Sequence, residues 1–63
     1  MARYRIGLMG KAVGNEWYAC ERNLLGFWIE TQTFDSAREC LRYGRYLERI
    51  GHFVQNVNIE ETK

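Results

Sequence analysis

The chain has no proline, one histidine and two cysteines in 63 residues, and each scarcity removes a class of function. Without proline, and with charges interspersed among apolar residues, it does not read as a disordered tail. Cys20 and Cys40 are too far apart for a CxxC pair, and His52 alone cannot complete a tetrahedral zinc site with them. No metal or cofactor is therefore expected. One disulfide is compatible with the sequence but not required, and the simplest reading is two free, buried thiols in a reducing cytoplasm. The opening "MARYRIGLMGKAVGNEW" has no run of seven apolar residues, so neither a signal peptide nor a membrane span is expected, and no membrane partner. A net charge of +1 gives no overall pull toward nucleic acid or lipid, so any basic site must be local.

What is present is a patterned small module, expected to form one domain over residues 1–63. A chain this short buries only about 60% of its unfolded surface, and its stability must come from good packing or self-association. In "RYRIGLM", Tyr4, Ile6 and Leu8 alternate with Arg3, Arg5 and Gly7, the period of a half-buried strand over about 3–9. "EWYACER" and "GFWIET" have the composition of strands over about 16–22 and 26–32, with a short turn bracketed by Asn23 and Gly26. Asp35 and Ser36 then offer helix N-caps, and Ser36 with Glu39 has capping-box spacing. A helix is expected over about 36–50, its apolar stripe formed by Ala37, Cys40, Leu41, Gly44 and Leu47, with Gly51 ending it. Gly44 in that stripe implies close approach to the sheet, under a bulky aromatic. Phe53, Val57 and Ile59 share one parity, so a fourth strand is expected over 53–59, followed by a loose polar end. The fold class is α+β: an antiparallel three-stranded meander, one amphipathic helix packed on one face, and a C-terminal fourth strand.

Three constellations bear on function. The glycine-rich "GLMGKAVGN" of residues 7–15 invites comparison with a phosphate-binding loop, but Lys11 is followed by Ala12 and then a strand, not by Ser or Thr and a helix. The GxxG loop of KH domains joins two helices, whereas this segment joins two strands. It reads as a hairpin connection with Lys11 solvated at its tip. Arg38, Arg42, Arg45 and Arg49 recur at intervals of four, three and four, which places them on one narrow helix face opposite the apolar stripe, with Tyr46 beside them. Such a row can grip phosphates or an acidic protein surface. It can equally be a solvated face in which Glu39 and Glu48 pair with Arg42 and Arg45. Third, Arg3, Arg5, one of Trp17 or Tyr18, and Trp28 are expected on the sheet face turned away from the helix, a surface suited to a protein partner or a second copy. The competing reading has Trp17 and Trp28 packing on each other. Glu16, Glu21 and Glu30 could meet across strands, but nothing in the spacing supports catalysis, and no enzyme is expected.

The succession "YRIGLM", "WYACERNLLGFWIE" and "TFDSARECLRYGRYLERI" resembles a loose class of small strand-strand-strand-helix proteins, many encoded by bacteriophages and other mobile elements. The resemblance implies a non-enzymatic inhibitor that binds and blocks a bacterial host or defence protein. Two rivals follow from the residues themselves: a small nucleic-acid-binding protein using the arginine face, and a structural subunit of a larger assembly.

Overall fold

The computed structural model describes residues 1–12 and 14–60. The chain folds in the order β1 (Arg3–Ala12), β2 (Asn15–Leu24), β3 (Phe27–Phe34), α1 (Ala37–Arg49) and β4 (Phe53–Asn56). It is a small α+β fold in which β4 joins the meander on the β1 side, parallel to β1, giving the sheet order β3-β2-β1-β4. The molecule is only 15 Å through its thinnest dimension, room for one sheet and one helix layer.

The first three strands run further than their composition suggested. Most of "GLMGKAVGN" is strand, because pairing continues from Leu8↔Tyr18 through Gly10↔Trp17 and Lys11↔Glu16 to Ala12↔Asn15. This leaves residues 13 and 14 to connect the strands, and Val13 lies outside the described residues, as do residues 61–63 of the end expected to be loose. The second turn is equally tight: Leu24 pairs with Phe27, and Leu25 and Gly26 have φ of 53° and 89°. Positive φ at both central positions is the geometry of a type I′ hairpin, which matches the twist of the flanking strands. The turn is therefore Leu25-Gly26, two residues later than Asn23 would start it.

Two irregularities decide which side chains face the helix. Between Leu8 and Gly10 the register of β1 shifts against β2, leaving Met9 as the extra residue. Between Gln32 and Glu30 the register of β3 shifts against β2, leaving Thr31 extra, and its hydroxyl donates to the Cys20 carbonyl at 3.1 Å. A bulge of one residue reverses the in-out alternation beyond it. Phe34 and Gln32 thus share a face with Tyr18 and Cys20, whereas Trp28 falls on the opposite one.

The helix starts at an extended Ser36, whose hydroxyl accepts from the Glu39 N–H at 3.2 Å, satisfying one orphan donor of the first turn. It ends in a Schellman arrangement: His52 N–H donates to Leu47 O and Gly51 N–H to Glu48 O, both at 3.0 Å, with Gly51 at φ 100°. Its inner face buries Cys40, Gly44 and Leu47 against Ile6 and Cys20, with Tyr4, Tyr18, Phe34, Tyr43 and Val54 around them. Gly44 does permit close approach, but its neighbour is aliphatic: a Cβ there would lie 2.9 Å from Ile6 Cδ1 and 3.5 Å from Val54 Cγ1. The aromatic rings are displaced to the flank of the helix, where Phe34, Tyr43 and Tyr46 follow one another at centroid separations of 5.5 and 6.1 Å.

The last strand is shorter than 53–59 and has the opposite parity. Val54 pairs with Tyr4 and packs on the core, while Phe53 and Val57 are half exposed. Beyond Asn56, side-chain amides take over the backbone's role. Asn56 exchanges two hydrogen bonds of 2.9 Å with the backbone of Ile59, and Asn58 accepts from Leu8 N–H at 2.7 Å while donating to Leu8 O at 3.3 Å. These two clips hold Ile59 in the core without further strand pairing.

Leu25 is the one non-glycine residue at positive φ among the described residues, and its side chain is 98% exposed. A leucine in the left-handed region costs roughly 1–2 kcal/mol, while Asn is at home there in a type I′ turn. Leu25→Asn should raise the unfolding free energy by about 1 kcal/mol, read as a higher urea midpoint at unchanged slope; a lower midpoint would show that Leu25 makes a stabilising contact.

Candidate functional site

The arginine stripe is one surface. Arg38, Arg42, Arg45 and Arg49 line a single recess on the outer face of α1 together with Tyr46, as their spacing along the helix requires. Among the described residues no carboxylate forms an ion pair with Arg38, Arg42 or Arg49, and the Glu39–Arg42 pair that their spacing permits is not made. Arg45 is engaged by a neighbour and also borders the cleft between α1 and β4, beside Glu48 and Asn56. That cleft holds only about 110 Å³, well short of the roughly 300 Å³ at which small-molecule sites begin. The outer helix face is thus a concentrated, solvent-facing array of guanidinium groups, with the ring of Tyr46 half exposed among them.

The sheet face away from the helix collects Arg3, Arg5, Trp17 and Trp28, and the register assigns Tyr18 to the helix side. These residues are mostly committed within the chain. Arg5 Nε donates to Glu21 Oε1 at 2.6 Å, and its guanidinium sits 4.4 Å from the centre of the Trp28 ring, an ion pair and a cation–π contact on one side chain. The Trp17 indole lies over Gly10, where any Cβ would overlap its Nε1. Glycine in a strand leaves a bare patch of backbone, and a cross-strand aromatic covers it. The two tryptophans therefore do not pack on each other; one sits at the Gly10 end of the sheet and the other near Arg3. Glu21 and Glu30 do meet, directly opposite across β2 and β3, whereas Glu16 approaches Lys11 at 3.9 Å.

The nucleophilic groups are enclosed. Cys20 and Cys40 are both free and fully buried, and the Cys40 thiol points to Ala19 O at 3.7 Å. Burial pushes the Cys40 thiol up to about 11, reinforced by the neighbouring Cys20 charge and partly opposed by a backbone hydrogen bond from Gly7. Burial likewise raises Cys20, against a hydrogen bond from Thr31 and together with repulsion from Glu21. A thiol held protonated is a poor nucleophile. His52 is an architectural group: its Nδ1 accepts from Ala2 N–H at 3.2 Å and its ring meets Tyr4 edge-on at 5.3 Å. Among the described residues no cluster of three metal-ligating side chains is found, and no helix is long and apolar enough to cross a membrane.

No protein-family model, curated protein or solved structure matches the chain.

One surface escaped the sequence reading: Leu24, Leu25, Phe27 and Ile29 are all exposed around the β2–β3 turn. Its signal was the dipeptide Leu-Gly standing where Asn-Gly would be usual.

Two tests follow. Gly10→Ala should force the Trp17 ring off the sheet, red-shifting its emission in a protein whose circular dichroism is otherwise retained; unchanged emission would mean the indole does not rest on Gly10. The second concerns alkaline pH. Below pH 9 the thiols are protonated in both folded and unfolded chains and make no difference to stability. Between about 9 and 11 the unfolded Cys40 ionises while the folded one cannot, so stability falls as pH rises, by about 3 kcal/mol from this group. Urea unfolding at stepped pH checks it: Cys40→Ala, less stable at neutrality, should decline less steeply, and an equal slope would rule the thiol out.

Proposed function

We propose that this protein acts by binding rather than by catalysis, as a small inhibitor whose arginine helix face occupies an acidic surface of a larger bacterial protein in the cytoplasm. The observation that carries the reading is the recess lined by Arg38, Arg42, Arg45, Arg49 and Tyr46, in which three of the four guanidinium groups have no carboxylate partner among the described residues. Arginine and tyrosine are the side chains that most often dominate protein interfaces, because each combines a large rigid contact area with directed donors. A planar guanidinium also grips a carboxylate with two parallel hydrogen bonds. The enclosed thiols, the architectural histidine and the small cleft support the non-catalytic half of the reading. The phage-type, anti-defence setting is what the resemblance of the strand-strand-strand-helix pattern adds to it. The open sheet face contributes less, since Arg5, Trp28 and Trp17 are already engaged within the chain, and a second copy would find few uncommitted groups there.

Capture of the tagged protein's partner from a nuclease-treated bacterial lysate, followed by titration of the purified pair, tests this. Arg38→Ala, Arg42→Ala and Arg49→Ala combined should weaken binding about 100-fold, at about 1 kcal/mol each, with the fold retained. If only nucleic acid is recovered, and its binding falls linearly with log salt at a slope of about −3 to −4, the arginine face is a phosphate-binding surface and the inhibitor reading is overturned.

A further inference from the structure

The strand register sorts this molecule's exposed apolar residues toward one end. Tyr4 lies opposite Arg22 on one side and Val54 on the other, and Arg22 lies opposite Ile29. One step outward, Arg3 faces Phe53 and Asn23 faces Trp28; a further step brings Leu24 opposite Phe27, with the Leu25-Gly26 turn beyond. The helix also finishes here, since His52, three residues after its last residue Arg49, takes the Ala2 N–H. Of the ten exposed large hydrophobics among the described residues, Leu24, Leu25, Phe27, Ile29, Ile50 and Phe53 all belong to this end. The far end of the sheet presents Lys11, Gly14, Asn15 and Glu16 instead.

Charge is sorted the same way. The outer rungs from Tyr4, Arg22, Ile29 and Val54 to the hairpin turn carry two charged side chains, Arg3 and Arg22, and no carboxylate. The last helical turn adds Glu48 and Arg49, which offset each other. Arg22 is held beside the Tyr4 ring at 5.9 Å, so its guanidinium stays at this end.

Leu25 is at the apex. It is nearly fully exposed and held at positive φ, a conformation that a leucine adopts at a cost and that Asn or Gly would take readily. The fold thus tolerates backbone strain to point an aliphatic side chain outward on a rigid turn, with Phe27 beside it 72% exposed.

We infer that this end is a contact surface for an anionic lipid bilayer, with Leu25 and Phe27 entering the acyl boundary while Arg3 and Arg22 meet lipid phosphates. The apolar groups come from separate elements and succeed one another outward to the Leu25-Gly26 turn, a protrusion that a bilayer accepts without a matching cavity. Adhesion of this kind grows with the apolar area inserted and with the number of cations near the surface, and the cytoplasmic leaflet carries the negative charge such a rim requires. This surface meets the arginine face of α1 only at Arg49, and the inference does not rest on the proposed inhibition.

Co-sedimentation of the full chain with phosphatidylcholine vesicles containing phosphatidylglycerol, and with vesicles of phosphatidylcholine alone, tests it. The parent protein should bind the anionic vesicles and bind the neutral ones less. Leu25→Asn, which keeps a favourable type I′ turn, should weaken anionic-vesicle binding by about tenfold or more, and Phe27→Ser should do likewise. Lys11→Ala, at the far end of the sheet, should leave it nearly unchanged, which separates the tip from a general attraction of surface cations to the vesicle. No sedimentation with either vesicle, or equal binding by Leu25→Asn, would overturn the inference. Loss of a protein partner by Leu25→Asn without any vesicle binding would reassign the tip to a protein pocket and overturn it as well.

Discussion

Two inserted residues, Met9 in β1 and Thr31 in β3, control the facing of the whole sheet. A pleated strand has no freedom to rotate a single side chain from one face to the other; only a change of count can do that. With the count shifted at Thr31, β3 presents Phe34 to the helix at one end and Trp28 to the opposite face at the other. With the count shifted at Met9, Gly10 comes under the Trp17 ring rather than under α1. Remove the Thr31 shift and Trp28 would be driven toward the helix layer, where Gly44 and Ile6 already meet at the limit of contact; remove the Met9 shift and Gly10 would turn to the helix side, leaving Trp17 without its bare patch of backbone.

That limit is the second organising feature. The core holds few bulky buried chains: its fully buried members with the largest side chains are Cys20 and Cys40, and the helix approaches the sheet at Gly44 closely enough for Ile6 to occupy the space of a missing methyl. Small residues at the centre and aromatic rings at the flanks give a thin two-layer body. They also leave the outer faces with large side chains to display, the arginines and Tyr46 on α1 and the leucines and Phe27 at the hairpin tip.

How far the sequence could be read follows from the same two features. Helix period survives without irregularity, so Ala37, Cys40, Leu41, Gly44 and Leu47 on one side and the four arginines on the other were legible from spacing alone. The capping signals of Ser36 and Gly51 were local and equally plain. Strand facing was not, because Met9 and Thr31 carry no mark of being extra; a bulge is known only from what the partner strand fails to match. The neighbour of Gly44 could not be read for the related reason that it belongs to a strand thirty-eight residues earlier in the chain. In the last segment the alternation of Phe53, Val57 and Ile59 suggested one continuous strand. The parallel register instead turns Val54 inward, and the amides of Asn56 and Asn58 substitute for strand pairing, a role that polar side chains do not advertise.

The union of β1 with β4 is the least local pairing in the sheet. The other two strand pairings join neighbours along the chain, but Phe53 N–H finds Ala2 O, and Val57 N–H finds Ile6 O, only after some fifty intervening residues. Closing a loop of that length is entropically the most demanding step in the molecule, and non-local pairing of this kind is what slows folding. Without the final segment, one edge of β1 is bare. That bare edge is a template for whatever extended chain reaches it first, and the short β4 with its asparagine clips covers it from Arg3 to Leu8.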